Sequence, residues 1–175
     1  MDLLDFEASE LYFQRPDSSE VQALLEQASG LYGQGEAELP LLKAYLRAPQ
    51  SLNVLVALNR FYYYQHRLSE ALLISEKALA LIAATTGLPA DWRQLEIQQL
   101  QSAAGNNLTE IRLYLFTLKS LGFLHMRLEH LILSQQIFEK LMAVDHKDRI
   151  GASALLELVL QRQQQYQAQA GVAGD

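Results

Sequence analysis

Four histidines are the residues of this chain best suited to chemistry, and their spacing sets the first limits. His66, His125, His130 and His146 could ligate a metal or move a proton, because imidazole does both near neutral pH. His125 and His130 stand five residues apart, a step that does not bring a helix back to one face, and no His-Glu-x-x-His run occurs. No metal site is expected. The chain has no cysteine, which removes thiolate ligands, thiol nucleophiles and disulfides. Gly30, Gly33 and Gly35 lie close together, yet no strand precedes them as a phosphate-cradling loop would need, so they mark a turn between helices. No serine sits in a nucleophile elbow, and the carboxylates are scattered along solvated helix faces and turns. No catalytic residue and no cofactor is assigned, and the sequence predicts a protein that is not an enzyme.

Positioning falls to helices. Residues 52–85 read as a helix, the turn Gln65-His66-Arg67 and a second helix, with Ser69 placed to cap the latter. Leu55, Leu58, Asn59 and Tyr62 share one face of the front helix at the helical period, and Ala71, Ser75, Ala78 and Leu79 share one face of the back helix. The same pattern one period earlier covers 18–51. There the front stripe is Val21, Leu24, Leu25 and Ala28, and the back stripe is Ala37, Leu41, Ala44 and Tyr45. Asp17-Ser18-Ser19-Glu20 resembles a capping box, Pro40 suits the first turn of the second helix, and Pro49 stops it. After Thr85 the pattern breaks. Thr86-Gly87-Leu88-Pro89 is a turn, and Asp91-Trp92-Arg93-Gln94-Leu95 begins a helix that ends near Ala104-Gly105-Asn106, with Trp92 largely buried. Asn107 with Glu110 can start a long helix, and the pattern resumes over 115–148. Its front stripe is Leu118, Leu121, Gly122 and His125; its back stripe is Leu131, Ser134, Phe138, Leu141 and Met142. Asp148 can cap a last helix that carries Leu155, Leu156 and Val159 and turns into the polar run Arg162-Gln163-Gln164-Gln165.

A large apolar residue, then Leu with a small neighbour, then an aromatic, followed by two Ala on the second helix, is the order held by Leu55, Leu58, Asn59, Tyr62, Ala71 and Ala78. In this the chain resembles the tetratricopeptide (TPR) family, whose period is about 34 residues. Asn59 departs from the usual Gly or Ala, which suggests slightly wider helix spacing. Gly122 and Phe138 match the family, whereas His125 replaces the aromatic and His146 stands where the linker proline is usual. The resemblance implies an all-α, TPR-like α-α superhelix, a right-handed solenoid of helical hairpins forming a single domain over 1–175. Its parts are an N-terminal segment at 1–16 (a short docked helix), repeat units at 18–51, 52–85 and 115–148, a helical insertion at 86–114, a capping helix at 149–170 and a frayed tail at 171–175.

In TPR proteins the face opposite the packing stripe lines a concave groove that takes a peptide. Carried over residue by residue, that face is Ser19, Gln22, Glu26, Ser29 and Gly30 in the first unit. It continues as Asn53, Val56, Arg60, Tyr63 and Tyr64 in the second and Phe116, Lys119, Phe123, Met126 and Arg127 in the third. Cations beside aromatics suit a segment with acidic and apolar side chains. The alternative is that the insertion helix or the N-terminal segment covers this face. The TPR clamp that reads a terminal carboxylate needs two Asn with Lys and Arg, and only Lys119 falls on a matching kind of place. In size and acidity the chain is also similar to type III secretion chaperones, which hold one client. It is similar in length, though by no particular residue, to short proteins that accompany bacterial nitrogen-fixation genes.

Composition narrows the partner. A chain of 175 residues with a net charge of −6 and a pI near 5.2 argues against nucleic acid and anionic membrane as partners. No run approaches the roughly 20 apolar residues of a membrane span. Asp2 and Asp5 stand where a signal peptide needs positive charge, so the expected location is the cytoplasm. The expected function is a non-catalytic adaptor for a protein or peptide partner, with a homodimer possible. The alternatives are a dedicated chaperone for a single client and, more remotely, an unrecognised enzyme.

Overall fold

The computed structural model describes residues 17–32, 35–104 and 108–172. The segment 1–16, Gly33, the Ala104 side chain, Gly105, Asn106, the expected cap Asn107 and residues 173–175 lie outside that description. Among the described residues the protein is all-α: eight α-helices and one 3-10 turn, with no strand. The backbone contacts gather into two compact units, one up to Leu81 and one from Ile82 onward.

The first unit holds α1 (Ser19–Leu31), α2 (Glu38–Arg47), α3 (Leu52–Tyr64) and most of α4 (Leu68–Thr86). Ser18 starts α1, its hydroxyl accepting from the Val21 N–H. Glu20 does not complete a capping box; the Gln22 amide instead donates to the Asp17 carbonyl at 2.9 Å. Pro40 lies in the first turn of α2, where its missing N–H would be unpaired in any case, and α2 ends at Arg47, just before Pro49. Ser51 caps α3 through Val54 N–H. Ser69 is no cap, because α4 has already begun at Leu68. The packing stripe is buried as its period demands at Val21, Ala28, Ala37, Leu41, Ala44, Leu55, Leu58, Tyr62, Ala71, Ser75, Ala78 and Leu79. Leu24, Leu25 and Tyr45 are only half-buried.

The second unit holds the end of α4, a 3-10 turn (Trp92–Gln94), α5 (Ile97–Ala104), α6 (Leu108–Arg127), α7 (Leu131–Val144) and α8 (Ser153–Val172). α6 is buried over most of its circumference, from Ile111 and Tyr114 through Leu118 and Leu121 to Met126, with Arg112, Phe116, Phe123 and Arg127 on its less covered face. That is the signature of a central helix. The helix expected from Asp91 to near Ala104 is divided: Trp92–Gln94 forms only a 3-10 turn, Leu95 leaves it in an extended conformation with φ −65° and ψ 128°, and α5 then runs from Ile97 to Ala104. Trp92 is half-buried, short of the expected burial, and the Arg93 guanidinium lies 4.4 Å from its ring centroid. Asp148 does cap the last helix. From a left-handed conformation (φ 47°) its carboxylate accepts from Ala152 N–H at 2.6 Å, Ser153 N–H at 3.2 Å and the Ser153 hydroxyl. α8 runs on through Gly171 and Val172, where a frayed tail was expected.

Candidate functional site

The hairpins α3–α4 and α6–α7 repeat one corner at a distance of 63 residues. α3 ends at Tyr64 and α4 begins at Leu68; α6 ends at Arg127 and α7 begins at Leu131. In the first corner Arg67 N–H donates to Tyr62 O at 2.9 Å and His66 N–H to Tyr63 O at 3.0 Å. In the second, His130 N–H donates to His125 O at 2.9 Å and Glu129 N–H to Met126 O at 3.2 Å. These are the two bonds of a Schellman motif. The residue that must turn left-handed is His66 (φ 56°) in one corner and Glu129 (φ 63°) in the other, although neither is the Gly that the motif favours.

The Schellman motif brings the residue just past the helix against the one five before it, and here those pairs differ in chemistry. In the first corner Arg67 lies over the Tyr62 ring at 4.6 Å. Its guanidinium also donates to Glu38 at 2.7 Å and Glu70 at 2.8 Å. Those two hydrogen bonds hold the Arg67 charge firmly in place, and the Arg67 contact draws the Glu70 carboxyl below its usual range. In the second corner the pair is His125 and His130, with their Nδ1 atoms 3.2 Å apart. Burial, reinforced by His130, lowers the affinity of His125 for a proton. Five-residue spacing within a helix had argued against such an encounter. The left-handed turn at Glu129 makes it, and no residue type at 129 signals that turn.

The helix crossings beside these corners are also equivalent and also differ. Asn59 donates to the Ala71 carbonyl at 2.8 Å and to the Ser75 hydroxyl at 2.6 Å, so a polar clasp fills the place of a small residue. At Gly122 a Cβ would lie 2.7 Å from the Phe138 ring and 3.0 Å from Ile137. There the Ser134 hydroxyl donates to the Gly122 carbonyl at 2.7 Å.

The expected binding residues divide. On α3, Arg60 is exposed and lies over the Tyr64 ring at 5.7 Å; Tyr63 and Tyr64 meet edge-to-face at 5.5 Å. Val56 is half-buried, and Asn53 is committed to Asp17, its amide donating at 2.8 Å. On α6, Arg127 is exposed and lies over the Phe123 ring at 5.9 Å, while Phe116 is half-buried. Arg60 and Phe123 occupy equivalent places, as do Tyr64 and Arg127, so each helix carries one arginine-aromatic pair in opposite order. Lys119 is a correction: it is buried, its ammonium donates to the Ile150 carbonyl at 2.6 Å, and burial lowers its pKa while Asp148 opposes that shift. Its position one step from Leu118 turns it toward the chain entering α8. Met126 is likewise buried.

A feature that the sequence reading missed is an open groove of about 690 Å³ between the start of α7 and α8. Ile132, which is 73% exposed, and Leu133 give it an apolar edge. Gln136, Gln163 and Gln167 supply amides, and Tyr166 is hydrogen-bonded to Glu129 at one end. Among the described residues no group of three or more His, Cys, Asp or Glu could hold a metal ion, and no helix is long and apolar enough to cross a membrane.

No family model matches the chain, and no solved structure matches it. Over 159 residues, 91% of this chain and 89% of the relative, it is 38% identical to an uncharacterized 19.8 kDa protein in the nifW 5′ region of Azotobacter chroococcum mcd 1.

Proposed function

The chain belongs to the family of that 19.8 kDa protein, and we propose that it acts there as a non-catalytic, protein-binding adaptor built from TPR-like hairpins. The recurrence of one corner after 63 residues, with matched helix ends and hydrogen bonds, supports reading α3–α4 and α6–α7 as two units of one repeat. α1–α2, with a longer connection, is the third. The observation that carries the binding role is the pair of exposed arginines, Arg60 and Arg127, each lying on an aromatic ring, the two pairs filling the same two positions of α3 and α6 in opposite order. Guanidinium over a ring is a common anchor for partners that bring acidic and apolar side chains together. The partner in this reading is a protein segment of that chemistry, and the adaptor works in the cytoplasm.

The relative's location in the nifW 5′ region makes the nifW product and those of adjoining genes the first baits. Arg60→Glu with Arg127→Glu should leave helicity and melting temperature close to those of the parent, since both side chains are exposed. Affinity for a bait that the parent binds should fall at least tenfold, with a weaker salt dependence. Unchanged affinity in a folded variant overturns the arginine-aromatic reading. A bait that stays soluble only in stoichiometric complex with this chain would make the adaptor a dedicated chaperone.

A further inference from the structure

We propose that His125 and His130 form a proton-operated latch on the α6–α7 corner, closed while the pair carries at most one positive charge and opened by a second. The geometry requires it. Two Nδ1 atoms 3.2 Å apart form a hydrogen bond only if one carries a proton and the other presents a lone pair. A neutral pair meets that condition, and so does a pair with one cationic ring, because the cation still donates to the bare Nδ1 of its neighbour. When both rings are cationic there is no acceptor left. Two like charges then face each other across a contact of which one side, His125, is 7% exposed.

Of the two rings His130 is exposed to water and follows Glu129 in the turn, so the cost of the second charge falls on His125, which is buried. On α6 the neighbouring cation is Arg127, which lies over Phe123. In the turn, Glu129 is hydrogen-bonded to Tyr166 of α8. Arg162 of α8, a further cation, donates to the Met126 carbonyl at 3.5 Å. On α7 the Ser134 hydroxyl is committed to the Gly122 carbonyl. Two nitrogen donors with no third ligand among the described residues make a poor metal cage, and the proton is the effector that the pair itself responds to.

The direction in pH follows. The proton affinity of His125 in the fold is lowered by burial and by His130. The unfolded chain therefore binds more protons in the window below the ordinary histidine pKa of about 6.5. Stability is complete above that value and is lost as pH falls through the folded-state pKa of His125.

The equivalent corner supplies an internal control, since the Tyr62–Arg67 pair does not titrate anywhere near neutrality. Imidazole NMR of the intact chain should show His125 titrating below the ordinary histidine value. Corrected for intrinsic rates, amide exchange at His130 should lose at least tenfold protection between pH 7 and pH 5, while exchange at Arg67 stays constant. The double change His125→Tyr with His130→Arg rebuilds the Tyr62–Arg67 pair in the second corner and should abolish the acid effect. A His125 midpoint at the ordinary histidine value, or equal acid loss at both corners, overturns the proposal. Should that variant not fold, His130→Gln keeps the question decidable. Removal of the facing charge should move the His125 midpoint upward, and an unmoved midpoint overturns the latch.

Discussion

The hairpins α3–α4 and α6–α7 share a backbone and little of the chemistry that holds it. At the corner one uses a tyrosine, an arginine and two glutamates, and the other uses two histidines. At the crossing one uses a carboxamide clasp, and the other uses close approach at Gly122 with a single hydroxyl bond from Ser134. The geometry is therefore set by what the sequences have in common: an apolar stripe at the helical period, and a left-handed residue followed by a new helix. The side chains at positions 59, 62 and 67, against 122, 125 and 130, determine how each hairpin responds to load, salt and pH.

The largest expected effects test what is shared. Leu58→Ala and Leu121→Ala each empty a site with no more than 3% exposure and should each cost ~2–5 kcal/mol. Chemical denaturation measures both. A loss well below that range at either place would break the equivalence.

The crossings come next, and here the hairpins should diverge. Gly122→Ala drives a methyl against Phe138 and Ile137, both buried, and should cost ~1–3 kcal/mol by overpacking. Asn59→Ala removes a clasp but frees the Ala71 carbonyl to take the Ser75 hydroxyl, so the loss should be nearer ~1 kcal/mol. Equal losses would mean that the two crossings are packed alike.

Tyr114 sharpens the contrast at high pH. α6 begins two helical turns earlier, relative to its corner, than α3 does, and Tyr114 belongs to that extension, with its hydroxyl toward the Pro89 carbonyl at 3.4 Å. Burial pushes its phenol up to about 12. A raised phenol contributes stability that is complete below the unfolded value near 10 and lost as pH rises through 12. Alkaline unfolding between those limits should lose part of its steepness in Tyr114→Phe.

The smallest effect belongs to the first corner. Arg67→Met should lower the melting temperature slightly at low salt and hardly at all in 1 M salt, because the Glu38 and Glu70 pairs are part-exposed and screened. A salt-independent loss would point instead to the contact with Tyr62.

Much of this fold was legible in the sequence because burial follows the helical period. Leu55, Leu58, Ala71, Leu118, Leu121, Ser134 and Phe138 all lie where their spacing put them. The misreadings share a physical cause. The His125–His130 contact depends on a left-handed Glu129, and Lys119 finds its acceptor 31 residues away at Ile150. Trp92 sits in a turn whose exit, at Leu95, is extended. Each depends on a backbone angle or a distant carbonyl, and neither leaves a mark in local composition. The groove between α7 and α8 was missed for a related reason, since single glutamines carry no period.

The order of packing carries one more consequence. Within the first unit α1 lies on α2 and α2 on α3, and within the second α5 lies on α6, α6 on α7 and α7 on α8. Each of these partners is the next helix along the chain, so these principal packings close short loops. Chains of this kind cross a low entropic barrier and refold in microseconds to milliseconds. Each unit should therefore recover from dilution out of denaturant within the dead time of most manual mixing. Its persistence in a cell would then rest on rapid return to the native state rather than on slow escape from it.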